Sequence, residues 1–228
     1  FGDSRSLTEL SAERLGIPAD RLTCWPIFAA DPLMPQASPW QAGQPIRLGS
    51  LGRLHPVKGY DVLIAALARL RDGGFTPSAP LEVLIAGEGA ERERLAALAQ
   101  AERIESVRLI GYADDPRAFL AGLHLYAQPS RSEGFCIAAH EALTAGLPVL
   151  GSAVGEMPWS IREGDTGHVV PPGDPAALAD RLALMLSAPH RLHRMGAAAR
   201  ADMLDRFSQA RFDATGAAIM ERIATTRG

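Results

Sequence analysis

The sequence predicts an α/β fold, a doubly wound parallel sheet of Rossmann-like type. Three observations carry that expectation. Short apolar runs of strand length recur at residues 46–51, 81–86, 107–110, 123–128 and 148–151, and strands buried on both faces read this way. Segments with apolar residues at helical spacing separate them. The alternation continues from Ile46 to about Leu186, and strands joined through helices in turn imply right-handed crossovers.

The elements follow in order. A helix is expected over residues 7–15, then the turn Gly16-Ile17-Pro18 and a brief strand over residues 21–25. Pro26, Pro32, Pro35, Pro39 and Pro45 punctuate what reads as a linker, so residues 1–45 form a leading segment. The α/β domain occupies residues 46–188. Leu63, Ala66, Leu67 and Leu70 stripe its first helix, and Leu95, Leu98 and Ala99 the second. Asp114-Asp115-Pro116 caps a short helix over 116–121. Phe135, Ala138, Ala139, Ala142 and Leu143 stripe the next helix, and Asp174-Pro175 opens one that runs to about residue 187. Residues 189–228 hold two more helices, over 190–205 and 208–225.

Composition narrows the function classes. The chain has 228 residues, 47% hydrophobic and 21% charged, as a globular protein does. Its 23 Lys and Arg against 26 Asp and Glu give a net charge of −3, which argues against a nucleic-acid partner. No apolar run approaches the roughly 20 residues that span a bilayer, and the opening Phe1-Gly2-Asp3-Ser4-Arg5 does not read as a signal peptide. Cys24 and Cys136 lie far apart and make no disulfide framework, so a reducing, cytoplasmic setting is expected.

Two loops combine unusual residues with a favourable place. The first, Leu51-Gly52-Arg53-Leu54-His55-Pro56-Val57-Lys58-Gly59, joins the first domain strand to its helix, and ligands of parallel sheets bind in such loops. Arg53 offers a planar fork of donors and Lys58 a compact charge, a pair suited to a diphosphate. Gly52 and Gly59 let backbone approach a ligand. Two solvated surface cations are the plainer alternative. The second runs from Pro129 through Glu133 to Glu141. With a helix starting near Phe135, the free N–H groups of Gly134 to Ile137 favour an anion. Eight helical residues rise about 12 Å, so Glu133 and Glu141 would grip a sugar and a ribose on either side of a diphosphate. The plainer alternative makes Glu133 a helix-terminus charge and Glu141 a surface residue.

Together these residues resemble the carboxy-terminal, donor-binding half of retaining GT-B glycosyltransferases of the group 1 (family 4) type. Gly52-Arg53 with Lys58-Gly59 is similar to the family's Gly-Arg…Lys-Gly loop, and Glu133 and Glu141 to its Glu-x7-Glu element. Glu163-Gly164-Asp165-Thr166-Gly167 followed by Val170-Pro171-Pro172-Gly173-Asp174 resembles its closing loop. The resemblance implies one half of a GT-B fold and a hexosyltransferase, cytoplasmic or at the inner face of a membrane, in polysaccharide biosynthesis. It assigns catalytic roles to Arg53, Lys58 and Glu133: the two cations hold and stabilise the leaving diphosphate, and Glu133 lies beside the donor sugar. Glu141 would hold the ribose, the backbone of Gly134, Phe135, Cys136 and Ile137 the sugar and phosphates, and Gly111-Tyr112 would border the base. The donor would be a UDP-, GDP- or ADP-sugar, the acceptor a saccharide or lipid-linked sugar, with no metal and no cofactor.

The chain departs from the family at Pro26-Ile27-Phe28, where Pro-Asn-Gly is usual, and at Gly155-Glu156-Met157-Pro158-Trp159, where Gly-Gly-Ile-Pro-Glu is usual. The acceptor half would lie outside this chain, residues 1–25 being its tail. The last helix would then expose Ile219, Met220 or Ile223. Two other functions share the frame: a nucleotide-binding module without transferase activity, and a dinucleotide-dependent oxidoreductase domain. Gly87-Glu88-Gly89 lacks the third glycine that the latter needs. His190 and His193 read as polar helix surface, and His140 as a packed or surface histidine rather than a base.

Overall fold

The computed structural model describes residues 2–226; Phe1, Arg227 and Gly228, within the two terminal segments, lie outside them. Six strands form one sheet, parallel throughout: β1 Ile46–Leu51, β2 Leu81–Ala86, β3 Val107–Gly111, β4 Leu125–Gln128, β5 Val149–Ser152 and β6 Gly167–Val170. Their order is β3-β2-β1-β4-β5-β6, the doubly wound order with its reversal between β1 and β4. The helices are α1 Arg5–Leu15, α2 Tyr60–Asp72, α3 Arg92–Ala101, α4 Pro116–Ala121, α5 Ile137–Thr144, α6 Met157–Ser160, α7 Pro175–Leu186, α8 Leu192–Arg206 and α9 Gln209–Thr226.

Strand alternation divides the core in two. Ile46, Leu48, Val83, Ile85 and Leu125 face one way, under Leu63 and Leu67 of α2 and Leu182 and Leu186 of α7. Tyr126 and Val149 face the other, under Ala142 and Leu143 of α5 and Met203 of α8. Leu63, Leu143 and Leu182 are fully buried, and each contributes about 1.5–3 kcal/mol by leaving water. Asp115 and Asp174 cap α4 and α7 through their side chains, each with proline in the first turn.

The structure corrects several expectations. The brief strand over residues 21–25 is absent: a 3-10 turn spans Ala19–Arg21, and only Cys24 bridges, to Gly2. A strand needs a pairing neighbour, and this segment finds a single residue. β6 and α6 add to the expected elements, because Gly167-His168 weakens the apolar signal of one and the other is only four residues long. The proline-rich stretch is no bare linker. Ala30, Met34 and Ala37 are buried in the second core, and the Arg200 guanidinium donates to the carbonyls of Pro32, Met34 and Thr144. Ile219 is buried at 5% exposure, while Met220 (63%) and Ile223 (43%) are open. On the same helix, Trp25 packs on Phe212 at 5.1 Å and donates to its carbonyl.

Candidate functional site

At the reversal between β1 and β4, two loops leave adjacent parallel strands from their carboxyl ends, where such folds place ligands. Residues 52–59 follow β1 and residues 129–136 follow β4. Gly59 joins a 3-10 turn, Pro56–Lys58, to α2 with φ +66°. A Cβ there would lie 2.0 Å from the Pro129 carbonyl oxygen, so the two backbones touch only because this residue is glycine. Arg131 fastens the loops again. Its N–H donates to Val57 O at 2.7 Å, and its guanidinium donates to Pro56 O and to both oxygens of Asp61, each at 2.8 Å. Burial opposes the Asp61 carboxylate, yet the hydrogen bonds and charge of Arg131 hold its pKa below the usual value.

That packing brings Lys58 onto Glu133, with Nζ 2.8 Å from Oε1. The same oxygen accepts from Ser130 Oγ at 2.6 Å and Gln128 Nε2 at 3.0 Å. Behind them the Tyr126 hydroxyl lies 3.0 Å from Gln128 Oε1 and accepts from Leu51 N–H. Tyr126, Gln128 and Ser130 are fully buried. The Tyr60 hydroxyl, beside Gly52, is a buried side-chain oxygen with no hydrogen-bond partner among the described residues. Burial raises its pKa, so it stays protonated.

α5 begins at Ile137, two residues later than expected, because Cys136 takes a left-handed conformation (φ 63°). The N–H groups of Gly134, Phe135, Cys136 and Ile137 meet no acceptor among the described residues. The later start also overturns the 12 Å helical span: only four helical steps, about 6 Å, separate Ile137 from Glu141, and Glu133 sits on the loop before the helix. Burial pushes the Cys136 thiol up to about 12, which rules out a thiolate nucleophile at neutral pH. Glu141 is half-buried; burial raises its pKa and the Arg117 charge opposes the rise. Neither the Glu141 carboxylate nor the guanidinium of the exposed Arg53 makes a hydrogen bond or ion pair among the described residues. Gly111 and the exposed Tyr112 lie at the end of β3, on the same rim of the sheet.

The other motif residues have structural roles. Gly87 allows close packing, since a Cβ there would fall 1.9 Å from the Gly52 carbonyl oxygen. Asp115 Oδ1 accepts from Ala118 N–H. His140 is a packed histidine, stacked on Phe135 at 4.0 Å and bonded to Cys136 O and Ser160 Oγ. Since a carbonyl only accepts, Nδ1 carries the proton and Nε2 accepts from the serine. His190 and His193 are exposed, and no three His, Cys, Asp or Glu gather as metal ligands among the described residues. Reading the sequence missed the buried ladder Tyr126, Gln128 and Ser130. Its signal was present: polar residues at every second position of a strand that is otherwise apolar.

A family model described as glycosyl transferases group 1 matches residues 36–202. A D-inositol 3-phosphate glycosyltransferase of Nocardia farcinica is 38% identical over 164 residues, which cover 68% of this chain and 35% of that protein. A glycogen synthase of Mycobacterium tuberculosis is 35% identical over 198 residues, 85% of this chain and 44% of that protein. The chain thus spans about two fifths of the length of these relatives. Among solved structures, a sucrose-phosphate synthase from Thermosynechococcus elongatus superposes with a TM-score of 0.81 at 22% identity, over 98% of this chain and 58% of its own. Anabaena HepE in complex with UDP and glucose gives 0.78 at 21% identity, over 98% and 62%.

Proposed function

The chain belongs to the group 1 glycosyl transferases, and from that premise we propose that it is the donor-binding part of a retaining enzyme. That enzyme transfers a hexosyl group from a UDP-, GDP- or ADP-sugar to a saccharide or lipid-linked acceptor. The observation that carries this reading is the meeting of Lys58 with Glu133 beside a row of unbonded N–H groups at residues 134–137. Cation, carboxylate and free amides together offer what a sugar diphosphate needs: positive charge, an acceptor for hydroxyls, and donors for phosphate oxygens.

In this reading Lys58 and Arg53 hold the diphosphate and stabilise the charge that grows as it leaves. Glu133 accepts from a hydroxyl of the donor sugar. Glu141, half-buried without a partner, accepts from the ribose, and the Gly111-Tyr112 rim borders the base. The leaving phosphate takes the acceptor's proton on the face from which it departs, so the anomeric configuration is kept. Side chains supply the positive charge, and the scheme calls for no metal or cofactor. Acceptor binding belongs to a domain outside this chain, and association with a membrane face is a matter for that domain. Among the described residues no helix is long and apolar enough to cross a membrane.

Calorimetric titration with UDP, GDP, ADP and NAD tests the proposal. One nucleoside diphosphate should bind and NAD should not. Arg53→Ala and Lys58→Ala should each weaken that binding by about 1–3 kcal/mol, the range for hydrogen bonds to charged groups. Unchanged affinity in both variants refutes the diphosphate assignment.

A further inference from the structure

We propose that Gln128 and Ser130 are positioning residues that fix which oxygen of Glu133 meets the donor sugar; the inference rests on the functional reading above. Residues 126, 128 and 130 follow the two-residue period of an extended chain, so their side chains share one side of β4 and its continuation. All three are fully buried, where the great majority of polar atoms have a partner.

Only one orientation of the Gln128 amide avoids setting two acceptors face to face at 3.0 Å. Gln128 Nε2 has two hydrogens and two acceptors, Ser130 Oγ at 2.8 Å and Glu133 Oε1 at 3.0 Å. Its Oε1 lies 3.0 Å from the Tyr126 hydroxyl, whose one hydrogen it shares with Leu51 O at 3.1 Å. A flipped amide would set its oxygen against Glu133 Oε1 and remove the hydrogens that Nε2 gives to Ser130 Oγ and to the carboxylate. Ser130 therefore accepts from Gln128 and spends its own hydrogen on Glu133 Oε1, at 2.6 Å. With Lys58, three donors converge on that single oxygen. Oε2 receives none of these three donors; the Cys136 thiol is the other side chain that interacts with this carboxylate.

This asymmetry has a functional meaning. A carboxylate held by Lys58 alone would turn once that cation engaged a diphosphate. Ser130 and Gln128 keep Oε1 in place when Lys58 leaves, so Oε2 remains the one acceptor offered to a sugar hydroxyl. The ladder thus governs the contribution of the sugar to binding and leaves the diphosphate to other groups.

The test compares affinities of the 228-residue chain for UDP, GDP and ADP with those for UDP-glucose, GDP-mannose and ADP-glucose. In Ser130→Ala and Gln128→Met the nucleoside diphosphate should bind within about twofold of wild type. The ratio of sugar-nucleotide to nucleotide affinity should fall about tenfold, the equivalent of one hydrogen bond to a charged group. Ser130→Thr, which keeps the hydroxyl, should hold the ratio within about threefold. Thermal unfolding confirms that each variant is folded. An unchanged ratio in Ser130→Ala and Gln128→Met overturns the positioning role while the functional reading stands. Equal weakening of both ligands also overturns it, since a packing defect would do that. A wild-type chain that binds none of the six compounds overturns the functional reading itself.

Discussion

Gly59→Ala is the sharpest probe of the junction on which the site depends. Two penalties add at this residue. Its φ of +66° lies where a Cβ costs about 1–2 kcal/mol. The new Cβ would also lie 2.0 Å from the Pro129 carbonyl oxygen, whereas real Cβ contacts are essentially never under 3.0 Å. A backbone carbonyl cannot rotate aside, so the loops must part by about 1 Å, at an overpacking cost of about 1–3 kcal/mol. That parting would stretch the 2.8 Å Lys58–Glu133 contact and the 2.7 Å bond from Arg131 to Val57 beyond hydrogen-bond range. Gly74→Ala is the control, because φ is +72° there with nothing within 4 Å of the added atom. For a chain of this size each kcal/mol moves Tm by about 2–4 °C. Gly59→Ala should therefore melt about 10 °C below wild type and Gly74→Ala about 4 °C below, by circular dichroism. Equal losses in the two variants would refute the contact argument and leave only backbone strain.

Three further outcomes are expected. Burial lowers the His140 pKa to about 4 from the 6.5 of an exposed imidazole, so between those values the unfolded chain binds more protons and stability falls as pH falls. Urea unfolding should show a loss of about 3 kcal/mol from pH 7 to pH 4, with a shallower slope in His140→Phe; parallel slopes would disprove the assignment. Asp202 is buried between Arg162 and Arg206, and Asp202→Ala should cost about 2 kcal/mol by removing the carboxylate to which both guanidiniums donate, Arg162 keeping Asp165 and Arg206 the Trp159 carbonyl; a drop in Tm under about 2 °C would contradict it. Glu141 has a carboxyl pKa raised by burial, so its ionised form at pH 7 works against folding. Glu141→Gln should leave Tm equal or higher at pH 7 while weakening nucleotide binding, as residues kept for ligands do; a lower Tm with unchanged binding would sink this.

The fold was legible because its signals are local. Strands buried on both faces read as apolar runs, and five of the six strands overlap their expected spans. Asp115, Asp174 and their prolines announce two helix starts through cap chemistry that involves only neighbours in sequence. Residues 21–25 show the limit, since strand character is settled by a pairing partner that no local reading supplies. Residues 26–45 show another: prolines mark irregular backbone, yet burial of Ala30, Met34 and Ala37 depends on a bed built by α5 and α8, far along the chain. In the candidate site, Lys58 and Glu133 could be named but not their contact, which Gly59 and Arg131 create across 75 positions. Cys136 shifted the helix start because a left-handed non-glycine residue leaves no mark in the sequence.

Arg200 has a practical consequence for anyone dividing this protein. By gripping carbonyls on both sides of a boundary that composition alone would place near residue 45, it makes the irregular approach to the first strand a structural wall of the unit behind it. A truncation beginning at Gln44 would strip away Met34 and its neighbours, wet the flank of α8, and deprive Arg200 of two of its three acceptors. Such a piece should precipitate or bind hydrophobic dyes, whereas one starting before Pro26 should behave as an intact body.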